Sequence, residues 1–387
     1  MSEMVVPDGW EMLEVQDAFL LGRGRVISKP EIQNNSGIYP VYSSQSKDKG
    51  IMGKINTYDF DGEYITWTTD GAYAGTVFYR SGKFNCTNVC GTLKDKGIFD
   101  VEMRFIARYL STVAKNHVSY VGNPKLMNGI FSEILFLLPP LPEQQKIASI
   151  LTSVDEVIEK TQSQINKLQD LKKGTMNELL TKGIGHTEFK DSPVGKIPKG
   201  WEVVLLSDYI EVLTDYHSNG SYEVLKKNVT LLNSPDYAVI IRTTNFEKKD
   251  FDNFIYLSKE SYEFLKKSKV LANDILMNKI ANPGVSYLMP KLNMPVSLGM
   301  NLFLIRVSTQ VSAQYFYYYL KKNENYVKSF ASGTGTETIT KQDVRNLKIL
   351  RPPLPEQQKI ASILSSMDTH IEEKQRKLEQ TQSLKKS

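Results

Sequence analysis

The sequence predicts an α+β chain: two mixed α/β domains separated by a long antiparallel two-helix coiled coil and related by a pseudo-twofold internal repeat. Three observations predict it. Pro139 to Leu151 reads PPLPEQQKIASIL, and Pro352 to Leu364 reads the same thirteen letters, 213 positions later. Upstream, Pro7, Gly9, Trp10 and Glu11 match Pro198, Gly200, Trp201 and Glu202. Through and beyond each identical block, apolar residues recur at alternating three- and four-residue steps, which keeps one stripe of a long helix against a partner helix. Residues 1–138 are expected to form the first domain, 139–197 the first long helix and a connector, 198–351 the second domain, and 352–387 the second long helix.

Within the first domain, GIYPVYSS (Gly37 to Ser44), EYITWTTDG (Glu63 to Gly71) and AGTVFYRSGKF (Ala74 to Phe84) are short β-branched and aromatic runs between turn residues. Such runs read as strands and hairpins. Val101 to Ala114 reads as a helix with Met103, Ile106, Leu110 and Val113 on one face. The texture changes at Pro142, whose missing N–H costs nothing in a first helical turn. From Glu143 to about Lys182 there is no proline, and Ile147, Leu151, Val154, Ile158, Ile165 and Leu168 form the seam, with Thr161 as its polar step. Roughly 40 residues at about 1.5 Å each predict a rod of about 60 Å.

In the second domain, Tyr237 to Asn245 and Met300 to Ser308 read as strands, and AQYFYYYLKK (Ala313 to Lys322) as a helix. The C-terminal seam is Ile360, Leu364, Met367, Ile371 and Leu378, with Lys374 and Thr381 at polar steps. A lone helix with one apolar stripe is marginal in water, so each copy is expected to serve as the mate of the other, running antiparallel with the two inserts at opposite ends. The second helical copy stops at Ser387, which aligns with Gly174, while the N-terminal MVVPDGW stands where a continuation would lead. That suggests a circularly closed repeat.

A hydrophobic content of 41% and a charged content of 24% are ordinary for a globular protein. There is no run of eighteen apolar residues and no secretory signal pattern at the N-terminus, so no membrane contact and a cytoplasmic location are expected. Cys86 and Cys90 have no second pair beside them, and His117, His186, His217 and His370 are scattered, so no metal site is expected. A formal charge of +5 permits nucleic-acid binding through a local patch.

Catalytic patterns fall short. Ser332 to Lys341, SGTGTETITK, lacks the lysine of a phosphate loop, though its amides and hydroxyls suit a DNA phosphate or base edge. Asn123-Pro124-Lys125 and Asn282-Pro283-Gly284 lack the second proline and the aromatic that hold a flipped adenine, and read as turns. Pro235-Asp236 followed by Glu247-Lys248-Lys249 satisfies a short nuclease pattern, but the other half of the repeat has no counterpart. No catalytic residue is assigned.

What remains suits DNA reading. In the first domain the candidates are Ser43, Ser44, Gln45, Lys47, Thr68, Thr69, Tyr73, Lys83 and Asn85. In the second they are Arg242, Thr243, Asn245, Asn278, Lys279, Thr334 and Thr336. Arg, Asn and Gln make bidentate bonds to base edges, while Lys, Ser and Thr hold phosphates.

The two PPLPEQQKIASIL blocks with their seamed helices, the two Pro-x-Gly-Trp motifs, GIYPVYSS, TTDGAYAGTVFY and SGTGTETITKQDVRNLKILRPPLPEQQ together resemble the specificity subunit of Type I restriction–modification enzymes. The resemblance covers nearly the whole chain. It implies two target-recognition domains, each reading one half of a split double-stranded DNA target, with the helix pair setting the gap. It further implies docking of two methyltransferase subunits that use S-adenosylmethionine, and of motor-nuclease subunits driven by ATP with Mg²⁺. This chain itself would bind none of these cofactors and catalyse nothing. Two other readings remain open: an autonomous DNA-cleaving or DNA-methylating enzyme with its own reader, and a coiled-coil adaptor that binds only protein.

Overall fold

The computed structural model describes residues 6–44 and 47–386. Its packing divides the chain into two compact units. One holds the chain up to Glu159 together with the stretch from Thr381 onward, and the other is Lys160–Gln380.

In the first unit, strand Glu11–Glu14 pairs antiparallel with Leu135–Leu138, Glu11 opposite Leu138. A four-stranded antiparallel sheet follows in the order Phe19–Arg23, Cys90–Asp95, Tyr64–Thr68, Val77–Arg80. A smaller sheet joins Ile51–Ile55, Ser36–Tyr42 and Asn85–Cys86, the last two parallel. The core gathers on the four-stranded sheet. Trp67 is fully buried and stacks on Phe131 at 3.9 Å between ring centroids. Gly91 stands opposite Trp67, where a Cβ would lie 2.2 Å from the indole, so this position must be glycine for the tryptophan to fit. The expected helix is Met103–Val113, and Met103, Ile106 and Leu110 are buried along it.

The second unit repeats this plan with different residues. Glu202–Leu205 pairs with Lys348–Arg351, Glu202 opposite Arg351. The four-stranded sheet runs Ile210–Asp215, Leu302–Val307, Ile275–Asn278, Ser286–Leu288, the same first–last–second–third order as in the first unit. Its companion sheet has five strands, again with one parallel pair, Val239 opposite Val296. Ala313–Lys322 is helical over the expected residues. Tyr237 to Asn245 departs from expectation: the strand ends at Ile241 and Thr243–Glu247 is helical. The cause is Asn245, whose Oδ1 accepts the Arg242 backbone N–H at 3.0 Å and turns the chain into a helical start.

The long helices are Leu141–Lys182 and Leu354–Lys386. None of the expected seam residues falls among the exposed ones. Ile165, Ile360, Leu364, Ile371 and Leu378 are buried, and Ile147, Leu151, Val154, Ile158, Leu168 and Met367 are half-buried. Gly183 ends the first helix at φ +68°, its N–H bonded to the Leu179 carbonyl at 3.2 Å.

The identical block earns its repetition through contacts to residues that do not repeat. Gln144 and Gln357 are both buried. Gln144 Oε1 accepts the N–H of Glu102, which caps helix Met103–Val113, and its amide donates to the Pro139 carbonyl. Gln357 Oε1 accepts the N–H of Ser312, the cap of helix Ala313–Lys322, and its amide donates to the Pro352 carbonyl. Farther along, Asp155 takes bonds from Arg108 and Lys385, while Asp368 takes bonds from Tyr318 and Lys172. Each node thus joins a carboxylate on one long helix to a lysine on the other and to the domain helix of the same unit. In the second unit Glu356 also receives the Trp201 indole N–H at 3.0 Å and the Ile184 N–H at 2.9 Å, tying PPLPEQQ to Pro-x-Gly-Trp.

Candidate nucleic-acid interface

Each four-stranded sheet ends in the same backbone arrangement. In the first unit the Thr69 N–H bonds the Val89 carbonyl, and the Leu126 N–H bonds the Thr69 carbonyl, both at 2.9 Å. Ser119 and Lys125 exchange both backbone bonds and close a short hairpin. In the second unit the Lys279 N–H bonds the Asn301 carbonyl, the Ile339 N–H bonds the Lys279 carbonyl, and Ser332 and Thr338 close the hairpin. Ser119 and Ser332, Lys125 and Thr338, Leu126 and Ile339 all stand 213 positions apart, the offset of the identical block. The framework is shared; the side chains on it are not.

In the second unit this end carries a cleft of about 520 Å³ lined by Asp215, Lys279, Phe303, Thr338, Thr340 and Lys341, among others. Lys279 Nζ lies 3.5 Å and Lys341 Nζ 3.2 Å from the Asp215 carboxylate, and Lys341 also donates to Ser218. Burial pushes the Asp215 carboxyl up, but bonds from Ser218 and Lys341 and the nearby Lys279 charge outweigh it and hold the group below the usual carboxylate range. Two ammonium groups against one carboxylate leave a net positive cleft, suited to a phosphate. Thr334 and Thr336 are exposed on the hairpin beside it.

Burial corrects five of the expected contact residues. Thr68 and Thr69 are buried; Thr69 Oγ1 accepts from Arg23 Nη2 at 3.0 Å and donates to Asp70 at 3.0 Å. Asn85 is buried and donates to the Thr57 carbonyl at 2.7 Å. Asn245 is consumed by its capping bond and by the Asp250 and Asn253 carbonyls. Asn278 is buried, accepting from Thr243 Oγ1 at 3.0 Å. Through these bonds the Thr69, Asn85, Asn245 and Asn278 side chains tie loops to the fold.

The others differ in access. Tyr73 and Lys83 are exposed, with the Lys83 ammonium 4.4 Å over the Tyr58 ring. Ser43 and Ser44 are half-buried, and Ser43 accepts from Thr87 Oγ1 at 3.0 Å. Arg242 and Thr243 are half-buried beside a smaller cleft of about 210 Å³ that Asn301 and Met300 share. Gln45 and the Lys47 side chain lie outside the described residues. Sequence reasoning passed over Arg23 and Asp215, reached Lys341 only as the end of the Ser332–Lys341 stretch, and read Asn123 to Lys125 of the Ser119–Lys125 hairpin only as a turn. Continuing the 213-residue offset upstream of Pro139 finds the hairpin, since Ser119 and Gly122 match Ser332 and Gly335.

The other chemical candidates do not assemble. Cys86 and Cys90 are buried thiols, and burial raises both, Cys90 to about 11, which keeps them protonated and unreactive at neutral pH. Asp236 is exposed ahead of strand Ala238–Ile241, while Glu247 ends a helix. Among the described residues, no three His, Cys, Asp or Glu side chains gather as metal ligands.

Two like frames presenting unlike loop surfaces define an internally duplicated α+β scaffold. The chain belongs to the Type I restriction modification DNA specificity domain family, whose model matches residues 7–170 and again 198–381. The Methanocaldococcus jannaschii type I restriction enzyme MjaVIII specificity subunit is 28% identical over 407 aligned residues, spanning 100% of this chain and 92% of that protein. The Mycoplasma pneumoniae type I restriction enzyme MpnII specificity subunit is 44% identical over 149 residues, covering 38% of this chain and 44% of its own length. Several curated relatives from that organism are matched over only about half of their length, for example 43% and 49%. Among solved structures, the M. genitalium Type-I restriction-modification S subunit superposes with a TM-score of 0.68 at 14% identity, covering 100% of this chain and 96% of that one. A chain from the type I R-M system studied for complex assembly and conformational transition gives 0.54 at 17% identity, covering 99% and 97%. Those two likenesses establish the fold.

Proposed function

We propose that this chain is the DNA-reading subunit of a type I restriction–modification complex, each unit reading one half of a split double-stranded target. The observation that carries this is the repeated sheet end, with one backbone framework and two unrelated sets of loop side chains. A reader needs a rigid frame and variable contacts, because backbone geometry fixes register while side chains choose bases. Family membership supports the same reading.

The two long helices act in this proposal as an antiparallel coiled coil that sets the gap between half-sites. In the second unit Lys172 bonds Asp368 and Lys374 bonds Gln164, so contact positions fall along one helix as they rise along the other. The same helices would dock two methyltransferase subunits, with motor-nuclease subunits joining for restriction. S-adenosylmethionine, ATP and Mg²⁺ belong to those partners; the chain itself reads without catalysing, in the cytoplasm.

Mapping methylated adenines on a randomised duplex library exposed to the chain assembled with its methyltransferase subunits tests this. One motif with two specified halves and a fixed unspecified gap is expected. A single contiguous motif would overturn the two-reader proposal. Metal-dependent cleavage by the purified chain, abolished by Asp236→Ala, would revive the autonomous nuclease, and no duplex binding even at low salt would favour the protein-only adaptor.

A further inference from the structure

We infer that the tip of the Ser119–Lys125 hairpin, Tyr120 and Val121 above all, is a specificity-determining DNA contact of the first reader. This rests on the two-reader function proposed above. Tyr120 and Val121 are 70% and 93% exposed, among the most exposed large apolar side chains of the described residues. The tip that carries them is firmly based. The buried Leu126 bonds Thr69 through its N–H and receives the Trp67 indole through its carbonyl at 2.9 Å, and the Gly71 N–H bonds the Pro124 carbonyl at 2.9 Å. The chain therefore holds two apolar side chains out in water on a rigid support, where folding alone gains nothing from them.

The internal repeat says what they face. The twin hairpin, Ser332–Thr338, carries Gly333 and Thr334 at the matching positions and stands beside the cationic cleft of Lys279 and Lys341. Basic groups flank the first hairpin as well: Lys115 stands shortly before it and Lys125 closes it, with no acidic residue within 115–125. An apolar tip flanked by basic groups fits a duplex, whose phosphates draw the base of the loop while the tip meets the groove. There an aromatic or β-branched side chain packs on a thymine methyl or wedges at a base step. The glycine and threonine of the twin offer a smaller and more polar tip, so the two readers would differ in base preference on a common backbone.

The double variant Tyr120→Gly/Val121→Thr places the twin's side chains on the first hairpin. In complex with the methyltransferase subunits, and beside wild type, it is assayed by methylation of a randomised duplex library and by binding to the wild-type target. The expected result is a changed base preference in one half-site, the other half-site and the gap unchanged, and about tenfold weaker binding to the wild-type target. An unchanged motif with binding within about twofold would overturn the inference. So would an unchanged motif with loss of co-purifying methyltransferase, which would make the tip a protein-docking surface. Tyr120→Ser alone, a smaller change at a solvent-facing position, gives the same readout if the double variant fails to fold. A wild-type complex lacking a two-part motif defeats the proposed function; a two-part wild-type motif with an indifferent variant defeats only the loop.

Discussion

Asp155 and Asp368 occupy equivalent posts 213 positions apart, each bonded to a lysine of the opposite long helix and to the seventh residue counted from the cap of its unit's domain helix. The partners differ, Arg108 in one unit and Tyr318 in the other, yet the carboxylate and the lysine persist. A charge at a helix seam costs stability unless it is paired, and in return fixes which residues face each other.

Lys172 tests that role, because its side chain is only 12% exposed and burial, opposed by Asp368, draws its pKa down. Asp368→Ala strands this ammonium and should cost about 3 kcal/mol in urea unfolding, part of it also from the freed Tyr318 hydroxyl. Lys172→Met keeps the apolar stem without the charge and should cost less. Combined with Asp368→Ala it should recover much of the loss in a double-mutant cycle.

Gln357→Ala should destabilise the second unit by roughly 1–3 kcal/mol, since it leaves the Ser312 N–H and the Pro352 carbonyl without their partner. Gln144→Ala should do the same in the first unit through Glu102 and Pro139. Urea melts of the single variants check both. Equal stability to wild type would mean that the repeated glutamine serves something other than this clamp.

Leu364→Asp should be far more damaging than Leu151→Asp. Leu364 is fully buried in the second unit's core, whereas Leu151 is half-buried and lets a carboxylate reach water. Thermal melts and soluble yield of the two variants rank them. The milder Leu364→Ala should cost about 2–5 kcal/mol.

Acid should weaken the first unit through Asp155. Burial raises this carboxyl, but Lys385 and Arg108 outweigh it and leave it below the ordinary 3.8. The native state then binds fewer protons than the unfolded chain, so the stabilisation is complete above the ordinary value and is lost as pH falls through it toward the depressed one. The Tm advantage of wild type over Asp155→Asn should hold down to about pH 5 and shrink as pH falls from there to about 3. An advantage constant across that range would remove Asp155 from the acid response.

Much of the fold was legible because its signals are local. The heptad steps from Ile147 and from Ile360 marked two long helices, and Met103, Ile106 and Leu110 named a helix face. Contact residues were less legible. Thr69 and Asn85 look like surface hydrogen-bonders in sequence, yet Arg23 and the Thr57 carbonyl claim them inside the fold. Burial of a polar side chain depends on a partner dozens of residues away, and no local pattern carries that information.

The sequence by itself determined the duplication, the two long helices, their apolar stripes and the family. Tertiary structure decided that the dissimilar inserts share a strand order, that Gln144 and Gln357 clamp equivalent helices, and that Ser119–Lys125 and Ser332–Thr338 close through the same pair of backbone bonds. The physical reason is that backbone hydrogen bonds build these frames without regard to side-chain identity, so two sequences can diverge almost completely over one set of N–H and C=O pairings.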